Sequence, residues 1–129
     1  MRERAAAHGR APEDVRVLQD LVVVLAPDAG VARERLALLR DSGVGGDGSW
    51  AAQAGTVGEL ALELRSGVAS GAVDGYVLRP ASLGSDLDAL LGGVVPLLQD
   101  ADAFRRAYPG ATLRDTLGLT AAAKRLARA

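Results

Sequence analysis

Apolar and polar positions along this chain repeat in two different periods, and the period changes at turn residues. Arg2 to His8 reads as the end of a helix, with Gly9 where a left-handed cap commonly sits. Ala11-Pro12-Glu13-Asp14 is a turn. Val15 and Val17 alternate with polar neighbours, and Leu21 to Leu25 then runs apolar without a break, the pattern of a strand buried in a parallel sheet. Gln19 and Asp20 interrupt that segment. Asp28, after Pro27, is placed to cap a helix in which Ala32, Leu36 and Leu39 recur at helical spacing and Arg33, Glu34, Arg35 and Arg40 largely take the other face. Gly43 ends it.

Thr56-Val57-Gly58-Glu59 matches a capping box, in which Thr56 and Glu59 satisfy exposed backbone donors reciprocally. Val57, Leu60, Leu64 and Val68 supply the apolar stripe of the helix that follows, and Gly71 closes it. Val73 to Leu78 reads as a second short strand, stopped at Arg79-Pro80. A last long helix starts near Ser85 or Asp86 with Leu87, Leu90, Leu91, Val94 and Leu98 as its stripe. Pro96 inside that stripe predicts a kink or a restart. Thr112-Leu113-Arg114-Asp115 looks like one more helix start. This alternation is the grammar of an α/β protein. It predicts two adjacent parallel strands, Val15 to about Leu21 and Val73 to about Leu78, with flanking helices. Two strands alone make no stable parallel sheet in water, so something further must cover their edges.

A length of 129 residues suits a single domain spanning 1–129, with 43–55 as a glycine-rich linker and 120–129 as a frayed basic tail. Lys plus Arg is 15 and Asp plus Glu is 16, a net charge of -1 that leaves no electrostatic footprint for nucleic acid or an anionic membrane. The absence of cysteine excludes disulfides, thiolate metal sites and thiol catalysis, and one histidine gives no metal-ligand set. The longest apolar run, Leu21 to Ala26, is far below the roughly 20 residues of a membrane span. No signal-peptide pattern opens the chain, so a reducing, cytoplasmic setting is expected.

Few residues are candidates for chemistry. His8, in the last turn of a helix, suits the macrodipole and no triad can be built from it. Gly43-Val44-Gly45-Gly46-Asp47-Gly48 follows a helix rather than a strand and lacks GK[ST], so it reads as linker rather than phosphate loop. Arg79 stands at the carboxyl end of an inferred parallel strand, where α/β folds place ligand-contacting residues. The competing reading of Arg79 is a surface ion pair with a carboxylate such as Asp74. Gln19 and Asp20 take the same reading as Arg79 if the first strand ends there rather than at Leu25. Trp50 is expected to pack against its own helices.

Val94-Val95-Pro96-Leu97-Leu98-Gln99, then Phe104-Arg105, Tyr108, Gly110 and Thr112 to Leu119, together resemble the C-terminal end of flavin-dependent monooxygenases of the bacterial luciferase superfamily. The branch is that of the nitrilotriacetate, EDTA, pristinamycin-synthase and dibenzothiophene-sulfone monooxygenases. Gly55-Thr56-Val57-Gly58-Glu59-Leu60-Ala61 is similar to its GTPEQVA element, with Gly58 departing from the proline-glutamate context. Ala72-Val73-Asp74-Gly75-Tyr76-Val77-Leu78 is similar to its DGF strand, and Gly92-Gly93 loosens the last helix. The resemblance implies the last two strand–helix units of a (β/α)8 barrel that uses reduced FMN and oxygen, with flavin supplied by a separate reductase. Such a barrel needs roughly 250 residues. The implied role is a fragment or split subunit of an FMN-dependent monooxygenase, inactive alone, with Arg79, Gln19 and Asp20 lining part of a cofactor site completed elsewhere. A homo-oligomer, or a chain supplying the missing strands, is the expected partner. The alternatives are a truncated, non-catalytic interaction module and an unrelated small α/β binding domain.

Overall fold

Three strands running the same way organise residues 17–105, one of two compact units into which the chain divides. The computed structural model describes residues 2–9, 11, 15–43 and 50–119. In chain order the elements are α1 (Arg2–Ala7), β1 (Leu18–Leu25), α2 (Ala29–Asp41), β2 (Ala52–Gly55), α3 (Val57–Ala69), β3 (Gly75–Pro80) and α4 (Ser85–Ala89). A π-helical turn (Leu90–Val94), α5 (Val95–Asp100) and α6 (Leu113–Thr116) follow.

The sheet order is β2-β1-β3. Val22 to Leu25 of β1 align with Ala52 to Gly55, and Leu18 to Val23 align with Gly75 to Pro80. The two strands legible in the sequence are therefore parallel and adjacent. Each is shifted toward its carboxyl end, because β1 continues through the apolar run in which Val23 and Val24 are fully buried. A third strand, β2, corrects the two-strand expectation. It occupies the end of the stretch expected to be linker, 43–55. Ala-Gln-Ala-Gly has no β-branched residue to announce a strand. It is one because β1 donates to it, Val22 N–H to Ala51 O at 2.9 Å and Ala26 N–H to Gly55 O at 3.2 Å. Positions 44–49 of the glycine-rich stretch and the 120–129 tail lie outside the described residues.

Alternation along β1 sends Leu21, Val23 and Leu25 to one side of the sheet. There they pack with Leu60, Ala61 and Leu64 of α3 and with Leu90, Val94 and Leu98, flanked by Tyr76 and Leu78 of β3. Burying a side chain such as Leu60, with no exposed surface, is worth about 1.5–3 kcal/mol. The last helical stretch is interrupted as Pro96 predicts. Proline has no N–H to close an α-helical bond and crowds the preceding turn, and the backbone ahead of it widens into the π turn. Gly93 in that turn lets α3 come close: a Cβ there would lie 2.8 Å from Val57 Cγ1. No helix among the described residues is long and apolar enough to cross a membrane.

The other unit comprises residues 1–16 with 106–129. After α1, Gly9 turns the chain at φ +72°, its N–H donating to Ala6 O at 3.0 Å. α6 begins where the sequence predicts a helix start, and Thr112 and Asp115 form a capping box there. Arg16 Nε donates to Leu117 O at 2.9 Å and its Nη2 to Gly118 O at 3.3 Å, satisfying carbonyls that the end of so short a helix leaves open.

Candidate functional site

The carboxyl ends of β1 and β2 coincide at Leu25 and Gly55, and α2 and α3 begin immediately beyond them. Parallel α/β sheets place ligands at this end. A cleft of about 430 Å³ opens here, lined by Leu25, Ala26, Pro27, Thr56, Val57, Gly58, Ser85 and Ala89. The side-chain hydroxyls and carboxylates around it are engaged in caps and turns. Thr56 Oγ1 accepts from Glu59 N–H at 3.3 Å while Glu59 Oε2 accepts from Thr56 N–H at 2.8 Å, the reciprocal cap read from the sequence. Asp28 Oδ1 accepts from Val31 N–H at 3.1 Å at the start of α2. Ser85 Oγ lies 3.0 Å from Ser82 Oγ.

Beside the cleft stands a group that sequence reasoning did not single out. Asp86, in the first turn of α4, is fully buried. Its Oδ1 accepts from Leu25 N–H at 2.7 Å and from Arg35 Nη1 at 3.1 Å, and its Oδ2 from Arg35 Nη2 and Ser82 N–H, both at 2.9 Å. Arg35 Nη1 also donates to Leu25 O at 2.8 Å. One carboxylate thus ties the end of β1, the body of α2 and the β3–α4 loop. Burial alone would push its carboxyl upward, but hydrogen bonds from Arg35, Leu25 and Ser82, with the Arg35 charge, outweigh that and hold it below the usual carboxylate range. The signal was an acidic residue at a helix start; its partner lies 51 residues away, beyond any local pattern.

The structure brings two of the three sequence candidates together. Asp20 and Arg79 project to the side of the sheet opposite Leu21, Val23 and Leu25, with Arg79 Nη2 4.0 Å from Asp20 Oδ2. Both side chains are more than half exposed, which makes this a loose surface pair. The partner is Asp20 rather than Asp74, whose Oδ2 instead accepts from Val17 N–H at 2.7 Å. Arg79 is next to the last residue of β3. Because β1 runs on to Leu25, Gln19 and Asp20 stand near its amino end, not at its carboxyl end, and that placement is corrected. Gln19 aligns with Tyr76 and projects to the face opposite Asp20. His8 lies in the turn after α1. No cluster of three or more His, Cys, Asp or Glu able to hold a metal occurs among the described residues.

The charged side chains at the rim do not converge on a site for a flavin phosphate. Such a group needs unspent backbone donors or convergent cations. Here Asp28 and Glu59 cap their own helices, Arg35 is committed to Asp86, and Arg33 lies 3.9 Å from Glu59. The Val44–Gly48 part of the glycine-rich stretch lies outside the described residues.

No family model matches the chain. Over 66 residues, 51% of its length, it is 47% identical to the dibenzothiophene-sulfone monooxygenase of Rhodococcus erythropolis, and it spans 15% of that enzyme. The solved EDTA monooxygenase of Chelativorans sp. BNC1 superposes on 92% of the chain with a TM-score of 0.75 at 22% identity, and the chain accounts for 39% of it. A riboflavin lyase solved with modified FMN and riboflavin superposes on 91% of the chain with a TM-score of 0.75 at 17% identity, the chain covering 38% of it. At these identities the solved structures establish a shared fold.

Proposed function

We propose, from the premise that this chain matches the luciferase-like flavin-dependent monooxygenase superfamily, that it is the C-terminal part or a split subunit of an FMN-dependent monooxygenase. It works only when completed by the rest of the barrel. The observation that supports this most is the 47% identity over 66 residues to a monooxygenase of which the chain spans 15%. In a closed barrel the face carrying Asp20, Val22, Val77 and Arg79 becomes the lining. Asp20 and Arg79 then border the interior, and Gln19, on the opposite face, packs beneath the helices. The flavin phosphate is assigned to the rest of the barrel, since the rim cations Arg35 and Arg33 lie against Asp86 and Glu59. Reduced FMN reaches the assembly from a separate reductase, in the cytoplasm. Homo-oligomerisation is the other way to cover the open strands.

The self-capped rim also supports a second reading, a non-catalytic relative that serves as an interaction module. Titrating FMN and reduced FMN fluorescence with the isolated chain tests the first. The expected result is no stoichiometric binding at micromolar concentration, with flavin retained only after a completing chain is added. Stoichiometric binding to the isolated chain, lost in Arg79→Ala, overturns the proposal. Completion without flavin retention favours the interaction module.

A further inference from the structure

Asp86 is the one buried residue of α4, and Ala89 adds a partly buried contact with the core. The element is thus fastened by a carboxylate more than by an apolar face. Every group that grips this carboxylate comes from outside α4. Arg35 of α2 offers both Nη atoms as a fork, with Leu25 N–H from the end of β1 and Ser82 N–H from the loop after β3, at 2.7–3.1 Å. A planar guanidinium with backbone donors beside it is also how proteins hold the carboxylate of a ligand. The fork stands at the carboxyl ends of β1 and β3, where parallel α/β sheets place ligands. The Arg35 side chain is 33% exposed, so an external anion has a path to it. The cleft of about 430 Å³ begins at the same place, sharing Leu25 and taking Ser85 and Ala89 from α4, and its other walls are largely apolar. Gly84, ahead of α4, supplies no side-chain cap, and a Cβ there would meet nothing within 4 Å. Packing does not demand that glycine, and it can absorb a change of backbone dihedrals. Asp86 N–H to Ser82 Oγ and Leu87 N–H to Ser82 O, both 3.2 Å, tie the first turn to the loop, and Leu90 beyond it is anchored in the core.

We propose that Arg35, Leu25 N–H and Ser82 N–H form a receptor for the carboxylate of a ligand, and that Asp86 fills it as a built-in competitor, which makes α4 a latch. The ligand is a small carboxylic acid with an apolar body. Its carboxylate takes the place of the Asp86 side chain on the Arg35 fork, and its body enters the cleft. Asp86 turns out to water about Gly84 while Leu90 stays in the core. Charge stays balanced, because one carboxylate replaces another on the same guanidinium and the released one is hydrated. The space is shaped for a planar anion, since the carboxylate now in it has no exposed surface. The flavin reading enters none of these steps.

Titrating the full chain with benzoate, and with benzamide as its neutral counterpart, tests this through the NMR signals of the Leu25 and Ser82 amides and the Arg35 Nε–H. In Asp86→Ala the receptor is empty, so benzoate should move these signals saturably and recover part of the lost urea midpoint, and benzamide should do neither. Asp86→Asn, which keeps the size of the side chain, takes over if the alanine variant does not fold. The parent should bind benzoate about tenfold or more weakly than the variant, because only molecules with α4 released are competent. As the parent binds, its Asp86 and Leu87 amides should exchange faster, having lost Ser82. A folded variant without saturable benzoate binding overturns the receptor. Binding to the variant and none to the parent overturns the latch, as does binding to the parent with both amides unchanged. An equal response to benzamide overturns the carboxylate as the recognised group. If neither variant folds, the parent titration alone decides, by the same signals.

Discussion

Replacing Asp86 by alanine removes the acceptor that serves four hydrogen bonds at the end of β1. Arg35, Leu25 N–H and Ser82 N–H lose their partner together. Breaking a buried ion pair from one side costs about 3–5 kcal/mol. The Arg35 side chain is 33% exposed and can hydrate, which favours the low end, but Leu25 N–H at a fully buried carboxylate cannot. About 3–4 kcal/mol is therefore expected, a large part of the roughly 5–15 kcal/mol that holds a domain folded. Urea unfolding followed by far-UV circular dichroism and by the fluorescence of Trp50 should show the midpoint falling by about 1–3 M. The double replacement Asp86→Leu with Arg35→Met should recover part of the loss, because it leaves no charge buried alone. The acid limb follows from the same contacts. The folded pKa of Asp86 is depressed, so its contribution is complete above the unfolded value near about pH 4 and fades as pH falls through the folded one. Asp86→Ala should remove that acid dependence. A midpoint within about 0.5 M of the parent, with the acid limb unchanged, refutes the assigned role.

Thr56→Ala removes the side-chain acceptor for Glu59 N–H and should destabilise by about 1 kcal/mol in the same urea assay, with Thr56→Ser restoring most of it. Gly67→Ala tests a close approach. A Cβ there collides with the Tyr76 hydroxyl, so the change should cost about 1–3 kcal/mol although alanine is the better helix former, and Tyr76→Phe should relieve it. Burial and the Glu63 charge push the Tyr76 phenol above its usual value, so the group in that collision stays neutral at pH 7.

Elements whose signals are local were legible in the sequence. The Leu21–Leu25 run, the Thr56/Glu59 box, the helix start at Thr112 and the disturbance at Pro96 each arise from residues a few positions apart, and each is in the structure. What escaped depends on distant partners. β2 is a strand because β1 offers it an edge, not because Ala-Gln-Ala-Gly prefers extension. Asp86 looked like any acidic residue in a first helical turn until Arg35 and Leu25 were brought to it. The Asp20–Arg79 pairing depends on strand register, which a one-residue slip would reverse.

The π turn ahead of Pro96 sets a phase. In an α-helix, residues four apart drift by about 40° around the axis, so two such steps carry a side chain roughly 80° off its face. Leu90, Val94 and Leu98 are spaced by four and yet all enter the same core. A π turn advances roughly 80–85° per residue, so its four steps fall about 30° short of a full circle and nearly cancel the drift of the four that follow. The wide turn thus converts a spiralling row of side chains into a straight seam. Deleting Gly92 would tighten the turn to α geometry and leave Leu98 seven steps of about 100° from Leu90, about 20° short of two full turns, so Leu98 would stay on the core face. The wide turn therefore holds one residue more than an α-helix would use over the same arc, without moving the seam that α5 presents to the core.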